Sequence, residues 1–289
     1  MIISPARPAD IADALALLYG HRPESLAENV AHAFHLIARG DLDPAHLLVA
    51  RVGDELRGAV FGQRLLGAAA VVWPPRARDD NAAVQDALAR AVIDHLAGTK
   101  VLQAFLPPED APLADPLLRA GFRHITRVWQ MARAAGTSPP GPEVEKRERP
   151  PLTIVPFSEV AEVEFQRTLM KANDDSLDCP ELTGTRTTSE VLAGYREAAP
   201  DQSRWSLARL AGESVGVLIL GDNELCFVGV VPKHRVRGVG RALMEAACGF
   251  AVDLNLIVDV RNDPAVRLYR SFGFEIVGAR EVFLKLSCH

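Results

Sequence analysis

The chain has 289 residues, of which 48% are hydrophobic and 24% charged, and its formal charge is -5. At roughly 100–200 residues per domain this suggests two domains, and the composition excludes collagen, low-complexity disorder and a disulfide scaffold. An acidic balance of 37 against 32 basic residues also argues against nucleic-acid binding, so any anion site has to be local.

In chain order, Ile2-Ile3 reads as a strand, followed by helices at Asp10–Leu18 and Ser25–Arg39. Strand-like runs at 47–52, 57–63 and 68–73 precede a long helix over Ala82–Leu96. A strand at 101–105, a short helix closing at Gly121-Phe122 and a strand at 127–132 complete this half. Residues 135–151 hold five prolines, two glycines and a run of charges, the composition of a linker. They divide a domain over 1–134 from one over 152–289.

The second half opens with a strand at Leu152–Phe157, a helix at Glu159–Ala172, a polar turn-rich stretch and a helix at Ser189–Ala198. Three strand-like runs follow, Arg204–Leu210, Ser214–Leu220 and Glu224–Val231, turned at Gly212 and Gly221-Asp222. Val239, Leu243, Ala246 and Phe250 then line one helix face. A strand at Leu256–Val260 leads to a helix with Asp263 as N-cap, Pro264 at its first position and Gly273 closing it. A final strand pair ends at Val282–Leu286. The first half repeats this order weakly: Gly121-Phe122 answers Gly273-Phe274 and Pro74 answers Pro232, the pattern of a diverged duplication.

The strongest motif is Val230-Val-Pro-Lys-His-Arg-Val-Arg-Gly-Val-Gly-Arg241, a strand, a basic glycine loop and the first turn of a helix. Gly238 and Gly240 permit close backbone approach to a ligand, and a helix start presents N–H groups to an anion. Lys233, His234, Arg235, Arg237 and Arg241 surround that point with no acid among them. It is neither a Walker loop nor a dinucleotide fingerprint. R-x-x-G-x-G after V-x-P at a strand-to-helix junction resembles the pyrophosphate loop of the GNAT (GCN5-related) N-acetyltransferases. Asn262-Asp-Pro-Ala-Val-Arg-Leu-Tyr-Arg-Ser-Phe-Gly-Phe274 is similar to the family's N-x-x-A-x-x-L-Y-x-x-x-G-F segment. Glu224 lies eleven residues before Arg235, as an acid does in the histone-acetyltransferase branch.

The resemblance covers 152–286 and implies an α/β (α+β) class: two tandem GNAT folds, each a mixed, mostly antiparallel sheet flanked by helices. The tandem layout resembles that of mycothiol synthases and similar two-domain acetyltransferases. It implies acetyl-CoA as cosubstrate, held by Val228, Gly229, Val230, Arg235, Val236, Arg237, Gly238, Val239, Gly240, Arg241, Asn262 and Tyr269. The expected reaction is direct transfer of acetyl to a primary amine in a ternary complex. The acceptor would be a small molecule or a peptide, and the chain a monomer or homodimer. The alternative is a non-catalytic acyl-CoA sensor or scaffold.

Such a transfer needs a neutral amine, a polarised thioester carbonyl and a proton for the leaving thiolate. Glu224 is the first candidate base, sharing a strand face with Cys226, Val228 and Val230 and acting through a water. Asp259 is the alternative, and Asp175 and Asp178 follow. Tyr269 is the candidate acid. By the resemblance, the main-chain N–H of Val230, freed by a splay of the strand, faces the thioester oxygen, and Asn262 fixes the loop or binds pantetheine. Asp175, Asp178 and Glu181, in the polar stretch 173–187, are placed to attract a cationic amine.

Cys179, Cys226, Cys248 and Cys288 form no C-x-x-C pair, so no metal and no cysteine nucleophile is expected. Met1-Ile-Ile-Ser-Pro lacks the features of a leader, and 65–73, the longest apolar run, is too short to span a bilayer. A cytoplasmic chain with no membrane partner is expected. In the first half the loop reads Val72-Trp-Pro-Pro-Arg-Ala-Arg-Asp-Asp-Asn-Ala82. Asp80 and Ala82 take the glycine places and Leu117 the tyrosine place, so this copy reads as degenerate.

Overall fold

The computed structural model describes residues 1–134, 152–157, 162–251 and 253–287. The proline-rich segment 135–151, the first residues of the helix expected from Glu159, and Cys288 lie outside these described residues. The chain forms two compact units, Met1–Ile125 with Glu281–His289, and Thr126–Arg280.

In the first unit, β1 (Ile2–Pro5), α1 (Ile11–Tyr19), α2 (Leu26–Arg39), β2 (Leu47–Val52), β3 (Glu55–Leu65) and β4 (Ala69–Ala77) follow in sequence. Then come α3 (Ala82–His95), β5 (Val101–Leu106) and α4 (Asp115–Arg119). β1 to β4 are antiparallel neighbours, and β5 runs parallel to β4. α3 starts where the Asn81 side chain accepts the Val84 N–H at 3.2 Å, and α2 stops at Gly40 with φ of +80°. One core lies under α3 (Leu48, Val60, Leu88, Val92, Leu102), the other under α1 and α2 (Leu15, Ala33, Leu47, Phe61).

β6 (Arg123–Arg133) carries the chain into the second unit. There follow β7 (Leu152–Pro156), α5 (Glu162–Asn173), α6 (Thr188–Ala198), β8 (Ser206–Leu210), β9 (Glu213–Leu220) and β10 (Leu225–Val230). α7 (Val239–Phe250), β11 (Leu254–Asp259), α8 (Asp263–Ser271) and β12 (Glu275–Leu286) complete it. β7 to β10 form an antiparallel sheet in the order β10-β9-β8-β7. One face packs on α5 and α6 through Phe165, Leu192 and Trp205, the other on α7 and α8 through Leu243, Met244 and Phe272.

Two expectations change here. The final strand pair is a single strand, β12. More consequentially, the units do not divide at the linker. β6 pairs with β11, Leu254↔Arg133 through Asp259↔Val128, and buries Met131 in the second unit's core. The last residues of β12 pair with β5, Glu281↔Leu106 through Leu286↔Val101, and bury Phe283 in the first unit's core. Each half of the sequence thus gives its last strand to the other unit. Alternation of apolar residues tells a strand which face to bury but not which neighbour to join, so this exchange leaves no mark in the sequence.

The candidate active site

β10 and β11 come together at one end only. Glu224 and Asn255 form an isolated parallel bridge, and the Asn255 N–H donates to Asn223 O at 2.7 Å. Past that point β10 continues with β9 and β11 with β6, which leaves an opening toward Val230 and Asp259. The Val231 N–H donates to Val215 O on β9 at 2.9 Å. Successive residues of a strand alternate sides, so the main-chain groups of Val230 face the opening. The Val230 carbonyl, on that side, accepts from Arg235 Nε at 3.1 Å.

β10 also carries a bulge, its register against β9 shifting between Leu225 and Phe227. The bulge breaks the face-sharing expected along this strand. Val228 and Val230 join Leu225 on the α7/α8 side, and Cys226 and Phe227 lie on the α5/α6 side. Glu224, one residue before Leu225, falls on the side of Cys226, whose thiol is pushed up to about 11 by burial and by the charge of Glu224. Glu224 itself is exposed.

The basic loop ends on Gly238, which caps α7 with φ of +83° and brings no capping side chain. A residue with Cβ is strained in that conformation. The first N–H groups of α7 therefore stay available to a ligand, and the helix dipole favours an anion there. Val236, at φ of +58° and fully exposed, takes a backbone shape costly for a β-branched residue. A Cβ on Gly240 would come within 3.3 Å of Leu268, so α7 and α8 approach closely.

The cations expected at this point divide. Arg237 is exposed. Arg241 pairs with Glu245 at 3.0 Å and lies 5.4 Å over the Phe272 ring, while Lys233 pairs with Glu213 at 2.6 Å. His234 is buried, 3.4 Å from Glu213. Arg235 is committed elsewhere. Besides Val230 O, its guanidinium donates to the carbonyls of Asp174 at 2.7 Å, Asp175 at 3.0 Å and Ala172 at 3.4 Å. It caps the C-terminal end of α5 and bolts the glycine loop to the loop after α5. Its reach toward a ligand, as first expected, gives way to this bracing. Asn262 likewise caps α8, its side chain accepting the Ala265 N–H at 3.3 Å, a place the sequence reading had given to Asp263.

The loop after α5 packs onto the open end of β11. Asp259 is fully buried there and saturated. It accepts from Thr126 Oγ1 at 2.8 Å, from the Cys179 N–H at 3.2 Å, and from Arg261 through its backbone N–H at 2.8 Å and its side chain at 2.6 Å. Burial alone would raise its pKa, but the hydrogen bonds from Arg261, Thr126 and Cys179 hold it below the usual carboxylate range. That removes Asp259 as an alternative base. Glu181 is also spent, held by Arg261 at 2.7 and 3.0 Å and lowered first by that hydrogen bond. It is not available to draw an amine. The Asp175 carboxylate is exposed.

Asp178 differs. One carboxylate oxygen accepts the Asp259 N–H at 2.7 Å. The residue is exposed as a whole, and desolvation, then the charge of Asp259, push its pKa up. Asp178, Cys179 and Asp259 bring three potential metal-ligand atoms within 4.8 Å of one another. The Arg261 guanidinium already occupies the cation's place beside them, and the Cys179 thiol is pushed up to about 12 by burial and these charges, against thiolate ligation. Asp178 also acts on two tyrosines that burial raises above their ordinary value: Tyr269 of α8 and Tyr195 of α6. Tyr269 packs on Phe274 at 5.9 Å, and Tyr195 on Phe227 of β10 at 5.7 Å. Tyr195 and Arg261 carried no motif and were missed from sequence. A separate groove of about 300 Å³, lined by Ile154, Pro156, Ser206, Ala246, Gly249 and Phe250, shares no residue with this site.

The corresponding loop of the first unit is closed by its own charges. Asp79 and Asp80 sit at φ of +57° and +48°, and pair with Arg57 at 3.6 Å and Arg76 at 3.2 Å. Leu117 is fully buried in the core.

The second unit thus brings together a strand pair that parts beyond one bridge, a glycine loop that opens α7 without a side-chain cap, and the buried Tyr269 of α8. Residues 170–274 match the acetyltransferase (GNAT) family model. The chain is 35% identical over 102 residues to the N-alpha-acetyltransferase RimI of Mycobacterium tuberculosis, covering 32% of its own length. It is 32% identical over 97 residues to the peptidyl-lysine N-acetyltransferase YjaB of Escherichia coli, covering 34% of this chain. The chain spans 65% of the length of each of these two relatives. A longer match, 27% identical over 251 residues and covering 76% of this chain and 74% of the relative, is to the mycothiol acetyltransferase of Pseudarthrobacter chlorophenolicus. In fold, 99% of the chain superposes on 95% of a GCN5-related N-acetyltransferase from Sphaerobacter thermophilus, with a TM-score of 0.60 at 19% identity. A tandem GNAT protein from the clavulanic acid biosynthesis pathway matches over 100% of this chain and 99% of its own length, with a TM-score of 0.50 at 13% identity. The fold is that of the tandem GNAT proteins.

Proposed function

We propose that the second unit transfers an acetyl group from acetyl-CoA directly to a primary amine in a ternary complex. The observation that carries this is the opening between β10 and β11, with the main chain of Val230 facing it and the uncapped start of α7 at its edge. The residues present fit the cosubstrate. The N–H groups from Gly238 to Arg241, with Arg237, suit a pyrophosphate, and the nearby Glu245 carboxylate is paired with Arg241. Acetyl-CoA supplies an activated acyl group; the chain's own residues do the rest.

An amine of pKa about 10 is neutral in roughly one molecule in a thousand at pH 7, a barrier of about 4 kcal/mol. Asp178 takes the proton. Its raised pKa makes it a stronger base than an ordinary carboxylate, and its second oxygen is not engaged by Asp259. Glu224, exposed at the closed end of the strand pair, is placed behind it. The Val230 N–H polarises the carbonyl. Tyr269, kept protonated by burial, gives its proton to the departing thiolate. The first unit holds no second acetyl-CoA site: its loop has exchanged glycine for paired aspartates. Peptide and small-molecule amines, the acceptors named for the relatives, are the classes to try.

The test is calorimetric titration with acetyl-CoA, followed by thiol release with an amine panel. One site per chain and turnover with at least one amine are expected. Tyr269→Phe should cut turnover strongly while leaving acetyl-CoA affinity within about twofold. Unchanged turnover in Tyr269→Phe would remove the acid role. Binding with no turnover on any amine would make this an acyl-CoA-binding module.

A further inference from the structure

The main-chain groups of β11 point to alternate sides. Val260, just past the strand, donates its N–H to Arg127 O on β6 at 3.0 Å, and Asn255 donates to Asn223 O, beside β10, at 2.7 Å. Asn255, Ile257 and Asp259 therefore turn their N–H groups away from β6, and beyond the bridge at Asn255 that side is the opening. The Asp259 N–H is the one that Asp178 Oδ1 accepts at 2.7 Å. A direct contact thus puts the Asp178 carboxylate on the β11 rim of the opening, whose other rim carries the main chain of Val230.

The backbone around Asp178 is held against its own preference. Asp175 and Cys179 have φ of +50° and +44°, a left-handed region that residues with Cβ reach only at a cost. The ties that hold this stretch come from the end of β11. The Cys179 N–H donates to Asp259 Oδ2 at 3.2 Å. Arg261 Nη1 and Nη2 grip the two oxygens of Glu181 at 2.7 and 3.0 Å, while Nη2 also reaches Asp259 Oδ2 at 2.6 Å. A half-exposed ion pair adds little stability. A guanidinium that holds both oxygens of a carboxylate fixes direction as well as distance, and that is what a loop carrying a base needs.

We propose that Arg261 and Glu181 are positioning residues: the fork between them, anchored on Asp259, keeps the Asp178 carboxylate at the opening with Oδ1 on the Asp259 N–H. Neither residue acts on the reacting atoms, so their effect on rate passes through Asp178. The inference rests on the acetyltransferase reading for what Asp178 does there, but where Asp178 stands is measurable without turnover.

The experiment follows amide exchange by NMR in the full chain, with the Val260 N–H, paired to β6, as the control for an intact strand. Asp178→Ala sets the rate for an Asp259 N–H without its acceptor. Glu181→Gln leaves the Arg261–Asp259 pair in place. It should speed exchange at Asp259 by about tenfold or more, toward the Asp178→Ala rate, with Val260 unchanged. Arg261→Lys, which keeps a charge beside buried Asp259 but has no fork, should do the same. The second arm is a double-mutant cycle on kcat with an amine that the panel identifies. Glu181→Gln should lower kcat by about tenfold or more in the parent protein and by less than about twofold in Asp178→Asn, with acetyl-CoA affinity kept within about twofold. Exchange at Asp259 that stays slow in either variant overturns the inference. So does acceleration shared equally by Val260, or a kcat loss of the same size in both backgrounds. No turnover on any amine, with exchange at Asp259 accelerated, would instead sink the catalytic reading and leave the placement of Asp178 standing.

Discussion

At the scale of single residues, this site shows how the same side-chain chemistry separates by partner. Three acids lie near the end of β11, and two are consumed. Asp259 and Glu181 share Arg261, which locks the loop after α5 to the strand. Only Asp178 keeps a raised pKa. Asp178→Asn should lower kcat by roughly 10²–10⁴-fold with acetyl-CoA affinity unchanged, the range for loss of a general base. The sign of the pH effect follows from the upward shift. The base works when ionised, so activity in the parent protein should fall, as pH drops, at a higher pH than an ordinary carboxylate would give. A kcat/KM profile checks this, and a limb that persists unchanged in Asp178→Asn would move the role to Glu224. Asp259 behaves oppositely in stability. Its folded pKa lies below the unfolded value of about 3.9, so its contribution is present above that value and is lost as pH falls through the folded one. Asp259→Asn should flatten acid unfolding in that window, followed by circular dichroism.

At the scale of elements, the informative feature is what α7 lacks. Helices α3 and α6 begin on a side chain that accepts an N–H: Asn81 and Thr187. α7 begins on glycine, and its open N–H groups are a cost in the free protein that a bound anion removes. Gly238→Asp puts a carboxylate at the cap and a Cβ at φ of +83°. It should abolish acetyl-CoA binding by calorimetry, a loss of at least a hundredfold, whereas substitution of Asp80 in the first unit should leave binding unchanged. Retained affinity in Gly238→Asp would place the pyrophosphate elsewhere. The bulge in β10 belongs to the same scale. It turns Val228 and Val230 away from Cys226, so they and Glu224 are not on one continuous face.

At the scale of the whole molecule, the exchange of last strands governs how the chain holds together. β12 completes the first unit beside β5, and β6 joins β11 in the second. Neither 1–134 nor 152–289 therefore coincides with a compact unit. Phe283, 3% exposed in the first unit's core, stabilises residues distant from it in sequence by more than 150 positions. Phe283→Ala should cost about 3–5 kcal/mol by urea unfolding. A chain ending at Arg280 should lose amide-exchange protection over Val101–Leu106, since β5 then has no neighbour on that side. Undiminished protection there would refute the exchange. Among the described residues no helix is long and apolar enough to cross a membrane.

The sequence by itself determined the element order, the duplication, the glycine loop and the tyrosine helix. Those signals are local: apolar spacing, turn residues and a strand–loop–helix motif each reside within about a dozen residues. Only the tertiary structure decided which strand completes which unit, because two edges of similar pattern accept the same strand. Only it decided that Arg235 holds the carbonyls at the end of α5, that Asn262 caps α8, and that Asp259 and Glu181 share Arg261. A charge is spent or free according to what stands within a few ångströms of it, and for these residues that neighbour lies as far as 133 positions away, as between Thr126 and Asp259.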